Sequence, residues 1–152
     1  MEYRKFDNTI YAKFKQGEEI LEDLKEICEK ENIRLASIQG LGACSKATLG
    51  VYDLPNKEYN SSEIEGNLEL VSLTGNVTRT DEGEVYLHCH AQFAKLEDDG
   101  TIKCYGGHLN SATISCTGEI VITVTNGFVG RVYNPQTGLN LWKFLPFVDC
   151  NC

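Results

Sequence analysis

The sequence predicts an α+β domain, a mainly antiparallel sheet system with one amphipathic helix packed on it. Three observations predict it: a single segment with a helical apolar period, a series of alternating or β-branched runs elsewhere, and Asp/Gly-rich punctuation between those runs. The 152 residues suffice for one domain with a real core and are too few for two. We therefore expect one domain over 1–146 and a short C-terminal tail over 147–152.

Taken in order, Thr9 to Phe14 reads as the first strand. After Gln16 and Gly17, apolar residues fall at Ile20, Leu21, Leu24, Ile27 and Cys28, with acidic and basic residues between them. This predicts a helix over about 18–31 whose acidic first turn complements the helix dipole and whose charged face is solvated. Asn32 is the expected terminator. Strands are then expected over Arg34 to Gln39, over Lys46 to Asp53 after a turn at Gly40-Leu41-Gly42, and over Leu68 to Thr78, Val85 to Lys95, Thr101 to Leu109 and Thr113 to Thr125. Further turns are expected at Asp81-Glu82-Gly83, Asp98-Asp99-Gly100 and Thr117-Gly118.

Composition narrows the function classes. A net charge of −8 and a pI near 4.9 repel phosphate backbones and anionic membranes, so nonspecific nucleic-acid binding is disfavoured. The N-terminal MEYRKFDNTIYAKFKQG breaks its apolar residues with charges and cannot form the core of a signal peptide, and no run reaches transmembrane length. A cytoplasmic location is expected, with no membrane partner. Seven cysteines, an odd number without any CxxC pair, argue for reduced thiols, and Cys150 and Cys152 are expected to be exposed in the tail.

The chemistry concentrates in residues 84–109, EVYLHCHAQFAKLEDDGTIKCYGGHL. From Val85 to Phe93 the odd positions are apolar, so His88 and His90 point away from the core face and Cys89 points into it. Glu97-Asp98-Asp99-Gly100-Thr101 has the composition of a three-residue hairpin loop with a left-handed glycine, in which 97 pairs with 101. That register sets His90 directly against His108 and His88 diagonally beside it, so the only three histidines of the chain meet on one face. A one-residue slip would send His108 to the core. Three neutral imidazoles suit zinc, or another transition metal such as nickel, copper or iron, better than magnesium or calcium. The fourth position left open is the arrangement of catalytic zinc sites, and an exogenous carboxylate or regulatory ligand fits it equally well. Three polar residues on a solvated sheet face, without function, fit the same pattern.

IQGLGACSKATLGVYD (38–53), EGNLELVSLTGNV (65–77), LHCHAQFAKLEDDGTIKCYGGHL (87–109) and RVYNPQTGLNLW (131–142) together resemble the plants and prokaryotes conserved (PPC) domain over nearly the whole chain. The resemblance implies an α+β homotrimer and a metal site whose ligands correspond to His88, His90 and His108. It also implies a family-matched carboxylate at Glu69, a candidate catalytic residue acting as proton acceptor or as a partner to the metal ligands. Stand-alone prokaryotic members carry the label DNA-binding, whereas this chain lacks an Arg-Gly-Arg-Pro hook and a basic patch. The combined expectation is a homotrimer with a three-histidine zinc site, binding or acting on a small ligand. A DNA-binding or regulatory module and a purely structural zinc-stapled trimer are the alternatives.

Overall fold

A computed structural model describes residues 1–144. The expected tail over 147–152, the end of the expected domain at 146, and the thiols of Cys150 and Cys152 lie outside the described residues.

The chain begins with a hairpin of β1 (Glu2–Phe6) and β2 (Thr9–Lys15), whose turn places Asp7 at φ 51°. The sequence reading lacked β1, because its alternation is carried by charged residues and only Tyr3 turns towards the core. Helix α1 (Ile20–Lys30) follows. Glu19 caps it by accepting a hydrogen bond from the Glu22 amide at 2.7 Å, and the same carboxylate accepts from the Ala112 amide at 2.8 Å, pinning the start of the helix to the sheet. Asn32 ends it with φ 50°, as expected of a left-handed terminator. Ile20, Leu24, Ile27 and Cys28 are fully buried along one stripe.

The remaining main-sheet strands are long. They are β3 (Ala36–Asp53), β4 (Glu58–Arg79), β5 (Val85–Leu96) and β6 (Ile102–Val124). All pairings are antiparallel, in the order β1-β2-β6-β3-β4-β5, and β5 also pairs with β6, so that β3 to β6 close on themselves. Phe14, Phe93, Leu68, Leu73 and Ile122 share one buried cluster with the apolar stripe of α1.

Two expected turns are corrected. Gly40-Leu41-Gly42 and Thr117-Gly118 lie inside strands β3 and β6; the first joins two expected strands into β3, and β6 likewise runs unbroken through residues 110–112, where two strands were expected. They face each other: Gly42 pairs with Gly118, and a Cβ on Gly42 would stand 2.5 Å from the Thr117 carbonyl oxygen. These glycines serve close backbone approach at a bend, where β3 shifts register between Gly40 and Gly42, and not chain reversal. A separate two-stranded sheet, β7 (Gly130–Asn134) and β8 (Leu139–Lys143), also went unread.

Candidate metal centre

The hairpin between β5 and β6 fixes the site. The Glu97 amide donates to the Thr101 carbonyl at 2.8 Å, the Gly100 amide donates to the Glu97 carbonyl at 2.9 Å, and Gly100 takes φ 81°. The Asp99 carboxylate secures the loop by accepting from the Thr101 amide and hydroxyl at 2.9 and 2.6 Å. From there the pairs run Leu96 with Ile102, Gln92 with Gly106, and His90 with His108, the register expected from the turn.

At His108 strand β6 changes partners. His108 pairs with His90 of β5 on one side and with Gly50 of β3 on the other. The approach of β3 is allowed by Gly107, where a Cβ would stand 2.7 Å from the Gly50 carbonyl oxygen. A second glycine, Gly75 of β4, lets β5 lie close at the histidines, since its Cβ would stand 2.5 Å from the Cys89 sulfur and 2.8 Å from the His88 carbonyl oxygen.

His88, His90 and His108 each present a nitrogen such that all three lie within 4.8 Å of one another, with ring centroids 5.3 to 5.5 Å apart. Bonds of about 2.0–2.1 Å from each ring to one ion would draw these nitrogens closer together still. Burial pushes the His108 imidazole from the ordinary 6.5 down to about 4, and repulsion from His88 and His90 adds to it. His88 is also lowered, by burial first, then by His90 and Arg131. His108 Nδ1 is buried without a hydrogen-bond partner among the described residues. Three clustered imidazoles, two of them biased by burial towards the neutral, lone-pair-bearing form, are a donor set that a transition metal takes.

The sign of the pH dependence follows. Both imidazoles bind protons less readily folded than unfolded, so the metal-free protein loses stability as pH falls below about 6.5, and the His108 share of that loss is complete near 4. Thermal melts of chelator-treated protein at pH 7 and pH 5.2 should show this drop, and a His108→Gln variant should show a smaller one.

Tyr59 of β4 lies against His108 with ring centroids 4.6 Å apart, and Tyr52 of β3 lies 4.9 Å behind it. From the other side comes Arg131 of β7, 7% exposed, its guanidinium 4.4 Å from the Tyr86 ring centroid. Arg131 Nη2 donates to Asn76 Oδ1 at 2.8 Å, and Asn76 is the cross-strand partner of His88. Neither Tyr59 nor Arg131 was singled out from the sequence. Their approach depends on long-range packing of two hairpins, for which no local pattern exists.

Glu69, the expected carboxylate, pairs with Ala94, four positions along β5 from His90, which places it about 13 Å away at the usual strand rise. It lines a separate depression with Asn67, Leu96 and Ile102. Within one chain it is not brought to the histidines.

The family model of the Plants and Prokaryotes Conserved domain matches residues 1–126, and so includes all three histidines. The chain belongs to this family. Three solved structures show how widely the PPC fold is shared. A protein from Bacteroides thetaiotaomicron, provisionally described as DNA-binding, is 31% identical, with 94% of this chain and 96% of that one covered at a TM-score of 0.86. A metal-containing protein from Archaeoglobus fulgidus is also 31% identical, with the same coverage and a TM-score of 0.79. A plant- and prokaryote-conserved protein from Pyrococcus horikoshii is 29% identical, with 96% of each chain covered and a TM-score of 0.77. No curated protein matches this PPC chain. Among its described residues no helix is long and apolar enough to cross a membrane.

Proposed function

We propose that this chain is a homotrimeric metal protein in which His88, His90 and His108 hold one divalent ion, zinc by preference, with room for a small ligand beside it. The observation that carries the reading is the convergence of three imidazole nitrogens within 4.8 Å, on a cluster whose His108 ring also has a buried, unsatisfied Nδ1. Bound zinc would supply a Lewis-acidic centre able to polarise a carbonyl or carboxylate oxygen. Burial holds the His108 and His88 imidazoles below their ordinary range, and the Tyr59 ring lies against His108. The metal-containing Archaeoglobus fulgidus relative supports the reading.

The trimer draws support from the outer sheet face. Tyr11, Leu41 and Val71 are each more than half exposed and line a groove of ≈ 590 Å³ across β2, β6, β3 and β4. One row of cross-strand partners, Tyr11, Val121, Gln39, Thr74 and His90, runs from that groove to the histidines. A second copy seated on the groove therefore stands beside the site, and a role for Glu69 at the metal requires the carboxylate of such a neighbour. Direct DNA binding, the description carried by the Bacteroides relative, is disfavoured by the net charge of −8.

The test is elemental analysis of the purified untagged protein together with its mass by light scattering. About one transition-metal ion per chain in a trimer is expected. A protein that takes up no zinc when zinc is added overturns the metal reading. Replacing Leu41 and Val71 together with Asp should yield a monomer by scattering, and an unchanged mass places the interface elsewhere.

A further inference from the structure

Arg131 carries a buried charge that no carboxylate among the described residues neutralises. None of the ion pairs among the described residues includes it. Its hydrogen bonds go to neutral oxygens only: Nε to Thr78 Oγ1 at 2.9 Å, Nη1 to the Asn140 carbonyl at 3.1 Å, and Nη2 to Asn76 Oδ1 at 2.8 Å. A guanidinium has five N–H groups, so two of them have no partner among the described residues.

Burying a cation without a counterion is unfavourable even when neutral acceptors satisfy part of it. Fastening β7 to β4 does not require a charge, since a neutral amide could bond Thr78 and Asn76. The charge is also held in one place, clamped on three sides and resting on the Tyr86 ring. That place adjoins the histidines, because Asn76 pairs with His88 across the strands and Tyr86 precedes His88 on the same face of β5.

We propose that Arg131 recognises a small oxyanion, a carboxylate or a phosphate, held beside the three histidines. The anion supplies the missing counterion, and the planar guanidinium suits two parallel N–H···O contacts. A ligand with a carboxylate at Arg131 and a second oxygen one or two bonds away could reach the histidine cluster as well. That second contact rests on the metal reading above, whereas anion binding at Arg131 does not.

The test is calorimetric titration at low ionic strength with glycolate, oxalate and inorganic phosphate, on zinc-loaded and on chelator-treated protein. Two variants are compared, with zinc content measured in each. Arg131→Met removes the charge. Asn76→Asp sets a carboxylate where the Arg131 Nη2 now donates, which strengthens the fastening and supplies an internal counterion. At least a ten-fold loss of anion affinity in both variants is expected, with the melting temperature of Asn76→Asp equal to or above that of the wild type. Should Arg131→Met fail to fold, Asn76→Asp decides. Undiminished binding in either folded variant, or no binding of any probe to the wild type, overturns the proposal. If the wild type takes up no zinc but shows anion binding lost in these variants, the metal reading fails alone and this one stands. Whether phosphate or the carboxylates bind more tightly identifies which class of anion the site prefers.

Discussion

His90→Ala is expected to remove zinc from the protein while leaving the fold intact. His90 is exposed on the outer face of β5 and contributes nothing to the buried cluster, so its truncation opens no cavity. Its loss leaves two imidazoles, one on β5 and one on β6. Changes to groups that merely orient metal ligands already cost about 10–100-fold in affinity, and loss of a ligand should exceed about 100-fold. In thermal melts, zinc at a hundred times the wild-type dissociation constant should stabilise the wild type by about 2.7 kcal/mol and His90→Ala by less than about 0.4 kcal/mol. Equal zinc content in the two proteins sinks the three-histidine centre.

Gly107→Ala is expected to cause a marked stability loss from a single methyl addition at the site. The new Cβ meets the Gly50 carbonyl oxygen at 2.7 Å, a backbone atom that cannot rotate away. Either β3 separates from β6 or His108, the next residue, shifts. Overpacking of this kind costs about 1–3 kcal/mol, and zinc affinity should fall with it because His108 moves relative to His90. Gly106→Ala is the internal control: its Cβ finds nothing closer than the Ala91 carbonyl oxygen at 3.4 Å, an ordinary contact. Equal melting temperatures for the two variants rule out close approach of β3 as the reason for the glycine.

The histidine hairpin was legible in the sequence because a turn with few conformational options sets its register. Asp99 and Gly100 lock the loop, and every pair down to His90 and His108 follows by counting. The helix was legible for a similar reason, since Ile20, Leu24, Ile27 and Cys28 repeat at its period and Asn32 ends it. Glycine was less informative elsewhere. At Gly42 and Gly118 it marks two backbones pressed together, and at Gly83 and Gly100 it marks a reversal; only the partner across the sheet distinguishes the two uses. Arg131 and Tyr59 could not be placed from local pattern at all. Arg131 sits in a hairpin whose docking relies on scattered polar contacts, such as Lys57 to the Pro135 carbonyl and Lys143 to Asp81, with no apolar period to read.

Strand β6 pairs with β5, β3 and β2, all of which precede it in the chain, and its far end joins Thr123 to Thr9. During synthesis the sheet therefore cannot close until nearly all of the chain has emerged from the ribosome. Topologies dominated by such distant pairings fold on the millisecond-to-second scale rather than in microseconds. His88 and His90 emerge ahead of His108, so metal capture waits on the last strand of the main sheet. A nascent or truncated chain lacking β6 presents two histidines and a β5 with one edge unpaired, and should neither retain zinc nor stay free of aggregation.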